Sequence, residues 1–504
     1  MPENYLLSID VGTTSIKVGL FTTEGKLKAL STQEYNLLTP SPNVVELPVD
    51  TYWIALSRGI KEVLKHSEIS PQSILALSLS SQAETLICVD SRGRPLRNAI
   101  VWLDSRADKE AKEIAKNFPP DLLYKTTGIP ESSPIWPAAK VLWLKRNEPD
   151  VFKRTFKFLI VKDYLIWRLT GIFSTDPTES SSTCYLKLNE KDWWDEMLDF
   201  VGIKRNQLPT IFPSYEVVGN ITSRIKSELD LSTSTRVIAG SMDQMAGALG
   251  AGNVESGIIT ESTGTALAVV ATVDKPVYDP KRMIPVASHC IPDKFVLMPY
   301  SETSGIVLKW FRDTFPLNPD KKEDYGHLLQ LASQIPPGAE GLLALPHFTG
   351  TTCPDFNPKA RGAFVGISFK HKRAHFIRAL VESVAFMLRE NIELLKELSI
   401  PVKRIRSLGG AAKSDTWLKI KTDVLGVPVE VPECSEAASL GAAILAGIGA
   451  RVFSDINEAV RKVVKIKKSF YPDPSNAGIY QKVYQEYLSL YQKLYGKVNK
   501  TIYQ

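Results

Sequence analysis

Two stretches about half a chain apart carry one pattern, and that pattern limits what this chain can fold into more than any other feature. In the first, Tyr5 to Ile9 reads as a short apolar strand, Gly12, Thr13, Thr14 and Ser15 as a tight turn, and Ile16 to Phe21 as the returning strand. In the second, Ile258 and Ile259 form the strand, Glu261, Ser262, Thr263, Gly264 and Thr265 the turn, and Leu267 to Val270 the return. Glycine lets the backbone come close to a ligand, and the hydroxyls and amides around it suit phosphate oxygens. Lys17 sits near the base of the first turn. Asp10, just before it, would repel a bare phosphate, which makes sense if magnesium lies between them, held through water. Either turn alone also reads as an ordinary polar hairpin turn. Their repetition implies two related domains that face each other and clasp phosphates between the turns.

A chain of 504 residues is too long for one core, so two large domains are expected, 1–247 and 248–504. The net charge of +6 is spread out, with no basic stripe interleaved with aromatics, which argues against nucleic acid as a partner. Cys88, Cys184, Cys290, Cys353 and Cys434 are far apart and show no Cys-x-x-Cys spacing, so neither a disulfide framework nor a zinc site is expected, and a reducing compartment fits. The longest apolar stretch, Ala437 to Gly449, is too short to span a bilayer, and Glu3 followed by a strand is no secretory leader. The expectation is a soluble, cytoplasmic protein without a membrane partner.

Along the chain, Leu27 to Glu34 reads as a third strand after the turn Glu24-Gly25-Lys26, and Val49 to Lys65 as an amphipathic helix. Ile74 to Ser80 is a buried strand. Gln82, Ala83 and Glu84 follow it, where open α/β sheets present polar groups to ligands. A second hairpin, Leu86 to Val89 and Ala99 to Trp102, leads to Arg106. Trp102, Asp104 and Arg106 are candidates for holding a hydroxyl-bearing ligand, or else a buried Trp with an exposed ion pair. The stretch with Trp136 and Lys140 turns helical, and Phe158 to Gly171 reads as a helix stopped by Gly171. The Ser/Thr run from Pro177 to Thr183 reads as a loop with no chemistry. Val237 and Ile238 then lead through Gly240 to Gln244 into a helix, Met245 to Leu249, with Asp243 at its start. That carboxylate is either an N-cap, worth about 1 kcal/mol, or a general base delivered to a cleft. Further on, Gly305 heads a helix through Arg312, a loop runs from His347 to Arg361, and His375 to Leu398 is a long helix. Ile405 to Leu408 ends in Gly409-Gly410-Ala411, whose bare backbone can pack against a flat ring such as adenine. Tyr480, Tyr484, Tyr487, Tyr491 and Leu494 form one stripe of a final helix, read as core packing or as subunit packing in a homodimer.

Together these motifs resemble, nearly end to end, those of the FGGY family of carbohydrate kinases. The resemblance rests on Asp10-x-Gly12-Thr13-Thr14-Ser15, Trp102-x-Asp104-x-Arg106, Leu169-Thr170-Gly171, Asp243-Gln244, Ser262-Thr263-Gly264-Thr265, Arg361-Gly362-Ala363, and Gly409-Gly410-Ala411 followed by Asp415 and Trp417. It implies an α/β protein of two actin-like (ribonuclease H-like) domains with ATP and magnesium in the cleft between them, transferring the γ-phosphoryl group to a sugar hydroxyl. By the same resemblance Asp243 is the catalytic base and Asp10 the magnesium-side carboxylate. Gly12, Thr13, Thr14, Ser15, Lys17, Gly264, Thr265, Gly305, Lys309, Gly409, Gly410 and Ala411 match nucleotide positions. Gln82, Ala83, Glu84, Trp102, Asp104 and Gln244 match acceptor positions. The chain departs from two patterns here: glycerol kinases show Gln-Arg-Glu where it has Gln82-Ala83-Glu84, and xylulokinases show Met-His nearby. Val45-Glu46 followed by Trp53 looks closer to the xylulokinase branch. The expected acceptor is a neutral sugar such as the ketopentose D-xylulose, with glycerol or a longer polyol as alternatives. The rival from another class, a non-catalytic actin-like ATP-binding module, has no need of a base such as Asp243 placed beside an acceptor pocket.

Overall fold

The computed structural model describes residues 3–318, 320 and 323–496. In β1 (Tyr5–Val11), Leu7, Ile9 and Val11 join one apolar cluster while Leu6 joins another, as the two-residue period of a strand requires. Asp10 therefore shares the face of Leu6. The chain turns at Gly12 into antiparallel β2 (Ser15–Thr22) and then β3 (Leu27–Glu34). After helix α1 (Asp50–Ser67), β4 (Ile74–Ser81) lies parallel to β1. With β5 (Val217–Asn220) and β6 (Arg236–Met242) the first sheet runs β5-β6-β4-β1-β2-β3.

The second sheet contains β7 (Gly257–Thr263), β8 (Leu267–Val273), β9 (Val286–Ser288), β10 (Phe295–Leu297), β11 (Val402–Leu408), β12 (Val429–Pro432) and β13 (Ile466–Phe470), with the main path β9-β10-β8-β7-β11-β12-β13. Within the two sheets, β3-β2-β1-β4-β6 and β10-β8-β7-β11-β12 repeat one arrangement. Two antiparallel pairings are followed by two parallel ones. The repeated turns seen in sequence join the corresponding strands of the two sheets.

Around the sheets run α2 (Val161–Thr170), the single turn α3 (Pro177–Ser180), α4 (Asp243–Gly250), α5 (Ile306–Thr314), α6 (Arg373–Glu397), α7 (Asp415–Leu425), α8 (Ala437–Gly449) and α9 (Pro474–Tyr495). Tyr52, Leu56 and Ile60 of α1 bury one face of the first sheet against Leu7, Ile9 and Leu79. The other face is covered from the second half of the chain. There Leu440, Ile444 and Leu445 of α8 meet Leu6, Phe21, Ala76 and Ile238. Where α8 crosses α4, a Cβ on Gly441 would lie 1.9 Å from the Ala246 carbonyl oxygen, and one on Gly250 1.9 Å from that of Ala437. Backbone touches backbone at this joint.

Three local readings differ from the structure. Lys157–Ile160 is a strand paired with Leu86–Val89, not the start of a helix, because its continuous apolar run fits a buried strand. The helix begins at Val161 and ends at Gly171 in the left-handed region. Pro177–Ser180 is helical because the Asp176 carboxylate accepts from the Thr178 and Glu179 amides and so caps it. Glu261, Ser262 and Thr263 belong to β7, which leaves Gly264, Thr265 and Ala266 as the turn. The tyrosine stripe of α9 is core packing. Tyr480, Tyr484 and Tyr487 lie against Phe386 of α6, and their hydroxyls donate to Glu382, Glu393 and Glu390 at 3.0, 2.8 and 3.1 Å.

Candidate active site

Three parallel strands of the first sheet end side by side, β1 at Val11, β4 at Ser81 and β6 at Met242, so Gly12, Gln82 and Asp243 emerge on one edge. In the second sheet β7 and β11 deliver Gly264 and Gly409 in the same way. A cavity of about 200 Å³ lies between the two edges, lined by Asp10, Gly12, Lys17, Asp243 and Gln244 from the first half and by Glu261, Ser262 and Gly409 from the second.

The two halves repeat an acid as well as a turn. Asp10 pairs in register with Ser80, whose Oγ donates to Asp10 Oδ1 at 2.7 Å. Glu261 pairs in register with Ser407, whose hydroxyl donates to the Glu261 carboxylate. Glu261 is also neutralised by Lys421 of α7 at 2.6 Å, both side chains being fully buried. Among the described residues Asp10 has no such ion-pair partner: Lys17, opposite it on β2, reaches across to Glu436 beside α8 at 2.6 Å. Burial raises the pKa of Asp10 against the pull of the Ser80 hydrogen bond and the Lys17 charge. Asp243 occupies the first position of α4, with Met242 as the N-cap and no side chain capping the helix. Burial and the negative charge of Asp10 push Asp243 up to about 7.

No group of three His, Cys, Asp or Glu among the described residues could cage a metal. A magnesium ion suits this site in the manner of phosphate-transfer centres, with Asp10 as the protein ligand and phosphates and water supplying the rest.

On the acceptor side, Gln82 Nε2 donates to the Tyr52 hydroxyl at 3.0 Å while its buried Oε1 has no partner among the described residues. Ala83 is buried. Glu84 takes a positive φ of 61°, and burial, with the charge of Asp243, lifts its carboxyl to about 8 against the pull of Lys140. Lys140, its own pKa lowered by burial, donates to the carbonyls of Glu84 and Val101 at 2.9 and 3.0 Å. Trp102 Nε1 donates to Thr13 Oγ1 at 2.9 Å, which ties the acceptor wall to the first phosphate-type turn. Asp104 is fully buried and turned elsewhere, accepting from the Val45 amide at 2.7 Å and from the Arg106 guanidinium at 2.7 to 2.9 Å.

On the nucleotide side, the first turn is closed by Gly12 N donating to Ser15 O and Tyr35 N to Thr14 O, both at 2.9 Å. In the second, the Thr265 carbonyl accepts from Ser304 N at 2.9 Å, and a Cβ on Gly305 would lie 2.5 Å from the Gly264 carbonyl oxygen. Gly409, at φ +75°, and Gly410 approach Thr263, and Ala411 is buried behind them. The structure thus gathers Gly264, Thr265, Gly305, Gly409 and Gly410. Lys309 lies outside the cavity, half exposed and 3.7 Å from Asp313. The sequence reading passed over Glu261, Lys421 and Glu436 as site residues. Only the doubling of the hairpin could have flagged Glu261, and nothing local marks the other two.

Family models described as the FGGY family of carbohydrate kinases, N-terminal domain and C-terminal domain, match residues 5–250 and 260–450. The chain is 31% identical over 487 residues to the xylulose kinase of Bacillus subtilis (strain 168), covering 97% of this chain and 96% of that protein. Among solved structures, the ligand-bound xylulose kinase from Lactobacillus acidophilus superposes with a TM-score of 0.90 at 28% identity, covering 97% of this chain and 98% of that one. The gluconate kinase from Lactobacillus acidophilus superposes with a TM-score of 0.89 at 28% identity, covering 98% of each chain.

Proposed function

The chain belongs to the FGGY family of carbohydrate kinases, and we propose that it transfers the γ-phosphoryl group of ATP to a hydroxyl of a neutral ketopentose, D-xylulose before other sugars. The observation that carries this reading is Asp243, a half-buried acid whose pKa is pushed up to about 7 at the edge of a cavity between two repeated Gly/Thr turns. A general base works best with a pKa near the operating pH. Asp243 in its ionised form orients the acceptor hydroxyl and takes its proton as the oxygen attacks the γ-phosphorus. The amides and hydroxyls of Thr13, Thr14 and Thr265 cradle the phosphates, with Gly264 closing the second turn through its amide to the Ala266 carbonyl at 3.0 Å. Asp10 is the residue that would hold a magnesium ion, which would supply positive charge against the charge that develops on the phosphates.

Relatives of similar identity act, by name, on xylulose and on gluconate, and the acceptor side favours the neutral substrate. A carboxylate acceptor calls for Arg or Lys. The cation behind Glu84 is Lys140, fully buried and committed to two backbone carbonyls. Gln82 Oε1, Glu84 and Trp102 instead offer partners for hydroxyls and an apolar wall. Ala83 leaves room where a glycerol kinase places a guanidinium. All five cysteines are free thiols, as suits the cytoplasm, and no described helix is long and apolar enough to cross a membrane. A coupled ADP-release assay over D-xylulose, D-ribulose, gluconate, glycerol and linear polyols tests the substrate. D-xylulose is expected to give the highest kcat/KM, and a panel led by gluconate or glycerol would refute the choice.

A further inference from the structure

Behind the acceptor side lies a layer that the kinase reading leaves unused, the strap from Asp176 to Thr183. Near its end β6 is bulged. Its register to β4 shifts between Ile238 and Ser241, and Gly240 takes φ +74° with a Cβ position only 2.1 Å from the Leu79 carbonyl oxygen. On the other side β5 pairs with β6 only as far as Ile238. Beyond it the Ala239 and Gly240 amides still donate to the Glu216 and Ser214 carbonyls at 3.0 and 2.9 Å, but among the described residues the last amide of the strand, Met242 N–H, immediately before Asp243, meets a side chain and not a backbone carbonyl. That side chain is Thr178, its Oγ1 accepting from Met242 N at 2.7 Å.

The direction of that bond is fixed from behind. Thr178 Oγ1 donates to Asp176 Oδ2 at 2.8 Å, and Asp176 Oδ1 forms an ion pair with Lys162 at 2.9 Å. Lys162 itself donates to the Ala239 carbonyl of β6 at 2.7 Å. All three side chains are fully buried, and a hydroxyl that has given its proton to a carboxylate can only accept from the amide. The strap also reaches the neighbouring strand end, where Ser81 Oγ lies 2.6 Å from Glu179 Oε1 and 3.0 Å from the Gln82 carbonyl oxygen.

We propose that Thr178 is a positioning residue for phosphoryl transfer. Backed by Asp176 and Lys162, it holds the β6–α4 turn so that Asp243 meets the acceptor hydroxyl. The assignment rests on Asp243 being the base. A misplacement of the reacting group by about 1 Å can cost on the order of 100-fold in rate. Thr178→Val, which keeps shape and removes the hydroxyl, should therefore lower kcat about 10- to 100-fold with the KM for ATP unchanged. Thr178→Ser, which restores the acceptor, should stay close to wild type. In an Asp243→Asn background Thr178→Val should cause no further loss, since groups acting as a unit are not additive. Amide hydrogen exchange over 238–247 should quicken in Thr178→Val and not in Thr178→Ser, a readout independent of the substrate. Should Thr178→Val fail to fold, Thr178→Ala takes its place in each comparison.

A hydroxyl-free variant with kcat within twofold of wild type overturns the proposal while leaving Asp243 as the base. So does Thr178→Ser as slow as Thr178→Val, or a loss that adds in full to that of Asp243→Asn. If Asp243→Asn alone keeps wild-type kcat, the base assignment falls, and the positioning role falls with it.

Discussion

Asp243 is half-buried, and its desolvation together with the charge of Asp10 pushes its pKa up to about 7 from its ordinary 3.8. As the proposed base it would work ionised, so kcat/KM should rise with pH through about 7 and level off above it. Asp243→Asn should remove that limb and cost about 100- to 10,000-fold in kcat while the acceptor still binds, as isothermal titration can check. The same shift has a stability sign. An acid whose folded pKa is raised contributes stability that is present below its unfolded pKa and lost as pH rises through the folded value. Relative to wild type, Asp243→Asn should therefore gain stability in denaturant melts between pH 4 and pH 8. At this scale the turns and the acids Asp10 and Asp243 were legible, because each follows a strand within a few residues. The bearing of Asp104 was not, since spacing alone does not say whether a carboxylate turns to a ligand or to Arg106 and the Val45 amide.

The element least legible in the sequence was α8, whose alanines and glycines show no partner until the chain is folded. Its contact with α4 has no room for a methyl group at Gly441. Gly441→Ala should push the backbones apart and lower stability by about 1–3 kcal/mol, the usual range for overpacking, read as a lower denaturant midpoint. Gly478, exposed in α9 with nothing within 4 Å of its Cβ position, is the control. Gly478→Ala should raise stability by about 0.5–1 kcal/mol, read as a higher midpoint, through helix propensity and lost freedom of the unfolded chain. The strap at Asp176 was misread for a related reason. Ser and Thr favour turns, and only a cap supplied by the residue just before the run makes it helical.

For the molecule as a whole, the doubled hairpin was legible as two related halves; the two sheets repeat one strand arrangement, and family models for an N-terminal and a C-terminal domain match 5–250 and 260–450. With phosphate-type turns on opposing sheets, catalysis calls for the cleft to close on sugar and nucleotide so that water is excluded. Small-angle scattering should then give a smaller radius of gyration with D-xylulose and a non-hydrolysable ATP analogue than without them, and an unchanged radius would argue against closure. The placement of α8 reaches back further, into how the protein is made. The last strand of the first sheet is complete at Met242, yet the face bearing Leu6, Phe21, Ala76 and Ile238 receives Leu440, Ile444 and Leu445 only once residues 437–449 have been made. At about 5–20 residues added per second, a ribosome takes roughly 10–40 s to synthesise the chain between those points. During that interval the nascent first half should present part of that apolar face to solvent, and a chain ended before Ala437 is expected to be less soluble than the full chain when the two are expressed side by side.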